Sequence, residues 1–135
     1  MPSDEPFWLP IEEVIEINRA AVAAVGEPHS LLRPELLESA LANPKNKFAY
    51  GEMDVLNLAM ALLLAISRNH PFFQGNKRTA FIAAEMFLEI NGYMLDAPDT
   101  ENLAELIIKC IEDHDSEVEL ESYLRKHIVA TPDDD

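Results

Sequence analysis

Positive charge is scarce in this sequence. Ten Lys and Arg stand against twenty-five Asp and Glu, a formal net charge of -15 at pH 7. A duplex nucleic-acid binder needs a basic face to neutralise phosphates, so no nucleic-acid partner is expected. Long apolar runs are also missing. The longest, Leu58 to Ile66, is about half of what a membrane span requires and is bounded by Asn57 and Ser67, so no membrane partner is expected either. The amino terminus has no cationic stretch followed by an apolar core and does not read as a secretory signal. A single cysteine, Cys110, excludes an internal disulfide and a Cys-based metal site, and makes a reducing cytoplasm the expected compartment. Set among Ile107, Ile108 and Ile111, Cys110 reads as a small buried hydrophobe. His29, His114 and His127 are too scattered for a metal cluster and read as structural.

What remains is an ordinary globular chain of 135 residues, 48% hydrophobic, long enough to bury about two thirds of its unfolded surface. It reads as one domain, 1–135, with disordered tails at about 1–6 and 129–135. Helix is the only convincing periodicity, so the fold class is all-α, about six helices with one short flap loop or hairpin. Ile11, Val14, Ile15, Val22 and Val25 make an amphipathic stripe that Pro10 opens and Gly26 ends. A second helix runs from Pro34 to about Ala42, where Asn43-Pro44 should break it. The polar and aromatic residues from Asn43 to Glu52 then read as the exposed flap. Asp54 should cap a helix to Asn69 that is apolar nearly all round, and is therefore the buried centre of the domain. A helix from about Asn76 to Asn91 follows, stopped by Gly92. Two more are expected, about Glu101–His114 and Glu117–His127, with Ser116 and Glu119 at capping-box spacing. The acidic residues between Glu112 and Glu121 read as a solvated face.

Chemistry concentrates in His70-Pro71-Phe72-Phe73-Gln74-Gly75-Asn76-Lys77-Arg78-Thr79. Between Lys47 and Lys109 the only basic residues are Arg68, Lys77 and Arg78. One local cationic spot in an acidic shell suits a small anion. Gly75 allows close backbone approach, and the residues after it supply the first-turn amides of a helix, the end that favours anions. Arg78 can fork two phosphate oxygens, while Lys77 adds a mobile point charge. His70 stands at the other lip of the turn, and histidine is a residue type suited to taking a proton from an attacking hydroxyl. Phe72 or Phe73 should anchor the turn in the core. The segment is not a P-loop, because no glycine lies five positions before Gly75 and no strand leads in.

These residues resemble the signature of the Fic/Doc superfamily, His-x-Phe-x-(Asp/Glu)-(Gly/Ala)-Asn-(Gly/Lys)-Arg. The likeness extends to Leu36–Ala42, the loop ending in Tyr50, and Phe87–Tyr93, which look like the flanks of death-on-curing (Doc) toxins. The resemblance implies a Fic-type helical fold, ATP as substrate and a protein hydroxyl as acceptor. It makes His70 the catalytic base and Phe72 the loop anchor, with Gly75, Asn76 and Arg78 on the nucleotide phosphates. Lys77 stands where AMP-transferring members usually have glycine and Doc toxins have lysine. In Doc toxins this goes with a reversed nucleotide and transfer of the terminal phosphate to elongation factor Tu. Arg68 matches a basic position in Doc and is expected to hold phosphate too. Gln74 replaces the Asp or Glu that binds Mg²⁺ in most members; an amide oxygen can ligate a cation but brings no charge.

The implied function is a toxin of a toxin–antitoxin pair, a protein kinase of the Doc type that stops translation. AMP transfer is the nearest alternative, and a Fic-fold interaction module that has lost catalysis is the next. Some Fic proteins restrain themselves with a Ser/Thr-x-x-x-Glu helix. Here no serine or threonine has glutamate four positions later. Restraint is therefore expected from a small separate antitoxin whose helix packs into an apolar groove near the flap.

Overall fold

The computed structural model describes residues 5–96 and 100–131. Six helices carry it: α1 (Ile11–Ala23), α2 (Pro34–Ala49), α3 (Val55–Asn69), α4 (Asn76–Ile90), α5 (Thr100–Glu112) and α6 (Glu117–His127). Two short strands, β1 (Tyr93–Leu95) and β2 (Ile128–Ala130), pair antiparallel. The all-α expectation holds. So does the central helix: α3 buries Leu56, Leu58, Leu62, Leu63 and Ile66 and packs against α2, α4, α5 and α6, while α1 lies on α4. Asp54 caps α3 as expected, its Oδ1 accepting from the amides of Leu56 and Asn57 at 2.9 and 3.3 Å. Among the described residues no helix is long and apolar enough to cross a membrane.

Three expectations need correcting. Pro44 does not break α2, which continues to Ala49, so residues 43–49 of the expected flap are helical and only a tight turn at Tyr50–Gly51 remains. A proline inside a helix costs about 3 kcal/mol. Here the cost is met by a buried stripe, Leu37, Ala40 and Pro44, that Phe48 extends to an edge-on contact with Trp8 at 6.0 Å. Residues 129–131, expected in a disordered tail, are ordered. Val129 and Ala130 pair with Met94 and Tyr93, and the Thr131 amide donates to the Gly92 carbonyl at 2.9 Å. The rest of that tail, and residues 1–4 of the other, lie outside the described residues. The Ser116 capping box is not formed: a single 3₁₀ turn, His114–Ser116, leads straight into α6, and the Ser116 hydroxyl donates to Asp113 instead.

The amino-terminal segment is part of the core. Trp8 stacks on Phe87 at 5.8 Å, and Asn91 brackets the Phe7 backbone, accepting from its amide at 2.8 Å and donating to its carbonyl at 3.0 Å. This ties the chain before α1 to the end of α4, the helix that follows the working turn.

One carboxylate works against the fold. Burial, and secondly the nearby Glu89 charge, raise the Glu85 carboxyl above its ordinary range. A raised carboxylate disfavours the folded state once ionised, so its cost is absent at acid pH and grows as pH rises through the ordinary and then the raised value. Glu85→Gln should therefore raise the melting temperature at pH 7 and leave it unchanged near pH 4, as thermal denaturation at the two pH values would show.

Candidate active site at the turn between α3 and α4

The turn begins where α3 ends. His70 caps α3 in the left-handed region, φ 48° and ψ 56°, and is the one non-glycine among the described residues with positive φ. Such backbone is uncommon outside glycine, though histidine is among the residues enriched there, and it clusters at functional positions. The conformation throws the His70 side chain off the helix line. It is exposed, and no described residue hydrogen-bonds to it.

Everything between His70 and α4 is pinned from below. Phe72 is 2% exposed and lies against His29, ring centroids 6.0 Å apart. Asn76 holds the Phe72 backbone at both ends. Its Oδ1 accepts from the Phe72 amide and its Nδ2 donates to the Phe72 carbonyl, each at 2.9 Å. The segment before α2 adds a second clamp: the amides of Leu32 and Arg33 both donate to the Pro71 carbonyl at 3.0 Å, and the Phe73 amide donates to Ser30 at 2.9 Å. Phe72 is thus buried beneath the turn, with its backbone held on both sides. The Asn76 side chain is committed to the turn, leaving its backbone amide for a ligand.

Gly75 then starts α4 at φ 75°. A Cβ there would sit 2.9 Å from Val22 Cγ1 and 3.3 Å from Asn18 Nδ2, so α1 packs where a side chain would go. The first intrahelical bond runs from the Thr79 amide to the Gly75 carbonyl at 2.9 Å. The amides of Asn76, Lys77 and Arg78 precede it and have no carbonyl to meet. Lys77 and Arg78 are both exposed, and among the described residues neither has an acidic partner. The tip of α4 therefore combines orphan amides, the positive end of the helix dipole and two uncompensated cations.

Arg68 is not part of that tip. Its Nη2 donates to the Cys110 carbonyl at 2.7 Å and to Glu117 Oε1 at 3.1 Å, tying α3 to α5 and α6. The expected phosphate contact of Arg68 is replaced by a structural one. Cys110 beneath it is fully buried, and burial followed by the Glu117 charge pushes its thiol up, which keeps it an inert core residue.

Two site residues escaped the motif. Asn18, on α1 and fully buried, donates through Nδ2 to the Gln74 carbonyl at 2.8 Å and to the Thr79 hydroxyl at 3.0 Å. Its Oδ1 lies 2.8 Å from His29 Nδ1. An amide oxygen only accepts, so the imidazole carries its proton on Nδ1. The available signal was periodicity: a polar residue four after Val14 and four before Val22, on a stripe that is otherwise apolar.

The turn offers little to a metal. Gln74 brings one neutral amide oxygen, and among the described residues no group of three or more His, Cys, Asp and Glu could hold an ion. A divalent cation held by the protein alone does not fit this donor set.

The sequence that builds this turn has known relatives. Residues 8–88 match the model of the Fic/DOC family, which is more than half of the chain. The chain belongs to that family. Within it, the chain is 31% identical over 94 residues to the protein kinase Doc of Escherichia phage P1, covering 68% of this chain and 75% of that one. It is 38% identical over 87 residues to the toxin Doc of Mycolicibacterium smegmatis, covering 62% of this chain and 66% of that one. The matched span of the family model holds the whole turn, all of α3, α4 as far as Leu88, and Asn18.

Proposed function

We propose that this Fic/DOC protein is a Doc-type toxin that transfers the terminal phosphate of ATP to a hydroxyl of a protein target, elongation factor Tu by family resemblance. One observation carries the reading. A free cationic helix tip and an exposed imidazole stand at the two ends of one short turn that α1, the segment before α2 and Asn76 hold rigid. The tip binds phosphate through the amides of Asn76, Lys77 and Arg78, with the Arg78 fork and the Lys77 ammonium offsetting the triphosphate charge. His70 takes the proton of the acceptor hydroxyl as its oxygen attacks the terminal phosphorus. The bond to the bridging oxygen breaks, and ADP leaves.

The two similar proteins named a kinase and a toxin support this over AMP transfer, as does Lys77. Incubation with γ-labelled or α-labelled ATP and a bacterial extract tests it. Label from the γ position alone is expected; label from the α position would make it an AMP transferase. Arg78→Ala should weaken ATP binding about tenfold, the loss of one charge-assisted hydrogen bond. Arg68→Gln should leave that affinity unchanged while lowering the melting temperature. Calorimetric titration of the two variants checks both.

Magnesium would be held by the nucleotide's own phosphates, with the Gln74 amide oxygen as the protein's contribution. Gln74→Glu should then lower the Mg²⁺ concentration needed for half-maximal ATP binding, as titration of binding against the metal would show.

Restraint would come from a small antitoxin. With the flap region helical, a better seat for its helix is the groove of about 460 Å³ between α1 and α4, lined by Ile17, Ala20, Ala24, Ile82 and Met86. That groove reaches Arg78 at the phosphate tip, and Glu13 and Glu16 on its rim favour a basic occupant. Co-purification with a small partner encoded nearby is the expected result.

A further inference from the structure

Asn18 does more than fill the core beneath the turn. Every peptide bond described here is trans, and in a trans peptide the carbonyl and the amide hydrogen point to opposite sides. The carbonyl of the Gln74–Gly75 peptide is turned toward α1, where Asn18 Nδ2 donates to it at 2.8 Å. The Gly75 amide hydrogen therefore points away from α1. Among the described residues nothing accepts from it, as nothing accepts from the amides of Asn76, Lys77 and Arg78 that follow.

The orientation of Asn18 is itself fixed. Turning the amide over would place its oxygen against the Gln74 carbonyl, losing that bond and setting acceptor against acceptor. In this orientation Asn18 is the donor that holds the Gln74 carbonyl toward α1. Were that peptide reversed, a carbonyl dipole would face any anion at the tip of α4 in place of an N–H.

We propose that Asn18 is a positioning residue for phosphate binding: it holds the Gln74 carbonyl inward so that the Gly75 amide becomes the fourth donor of the anion cradle. Successive backbone amides converging on one concavity are an established way to hold phosphate. The assignment rests on the phosphate-binding reading above and adds to it a residue from α1, some 56 positions before the turn it serves.

The chain has only four glycines, so the Gly75 amide is easily followed in a ¹⁵N–¹H spectrum. Titrating the wild-type protein with inorganic triphosphate should move the Gly75 amide together with those of Asn76, Lys77 and Arg78. In Asn18→Ala the Lys77 and Arg78 amides should still respond while the Gly75 response is lost, and the triphosphate affinity should fall about tenfold. A purely structural role for Asn18 would lower the melting temperature and leave the Gly75 response in place. If Gly75 stays still in the wild type while its three neighbours move, or responds equally in Asn18→Ala, the inference is overturned and the phosphate reading stands. Silence at all four amides in the wild type overturns both.

Discussion

Replacing His70 with asparagine should cut phosphate transfer by about 10²–10⁴-fold while leaving ATP affinity nearly unchanged. The reasoning is geometric. His70 caps α3 at the start of the turn, and its imidazole is exposed and without a hydrogen-bond partner among the described residues, so the imidazole contributes little to the fold. The phosphate donors lie at the other end of the turn and do not depend on it. Asparagine is the better replacement because the backbone here is left-handed, φ 48°, which asparagine tolerates and alanine resists. Single-turnover transfer measured beside calorimetric ATP binding separates the two effects. A variant that still transfers phosphate at the wild-type rate would remove the imidazole from the mechanism.

The second large effect falls on Asn76. It is 8% exposed, and both ends of its amide are bonded to the Phe72 backbone. Asn76→Ala leaves a buried N–H and a buried carbonyl without partners, and each costs about 1–3 kcal/mol. The variant should lose about 2–4 kcal/mol of stability, seen as a fall of roughly 10 °C in melting temperature. Asn76→Asp should fare no better, since one carboxylate oxygen must then face the Phe72 carbonyl. Both should lose transfer activity well below their melting temperatures, because Phe72 no longer fixes the spacing between His70 and the helix tip. Near-wild-type activity in either variant would mean that the turn holds its shape without this bracket.

Most of this architecture is legible from residue order. The stripe from Ile11, the apolar run from Val55 and the Asp54 cap place α1 and α3, and Gly75 followed by Asn-Lys-Arg places the tip of α4. What escaped did so for physical reasons. Pro44 reads as a helix breaker because propensity is local, whereas the burial of Leu37, Ala40 and Pro44 on one face is tertiary. β1 and β2 are three residues each, and their largely exposed side chains leave no alternation to detect. Ser116 has the spacing of a capping box, yet the 3₁₀ turn before it already satisfies the helix entry.

The site shows the same division. Motif spacing groups His70, Phe72, Gly75, Asn76, Lys77 and Arg78, and the structure places them all on one turn and one helix tip. It also draws Arg68 toward that group, because nearness in sequence hides the ion pair that points it at Glu117. Asn18 and His29 lie far from the motif in sequence, and only the fold brings them under Gln74 and Phe72. Charge and motif find the groups that meet a ligand. The groups that hold them in place emerge from packing.

The catalytic account stands on the terminal phosphate lying between the α4 tip and His70. A crystal structure with a non-hydrolysable ATP analogue measures this most directly. The expected density has the terminal phosphate on the amides of Asn76, Lys77 and Arg78, with the His70 imidazole on its open side and close enough to reach an attacking hydroxyl. An α-phosphate in that position, or a nucleotide bound away from the turn, would contradict it.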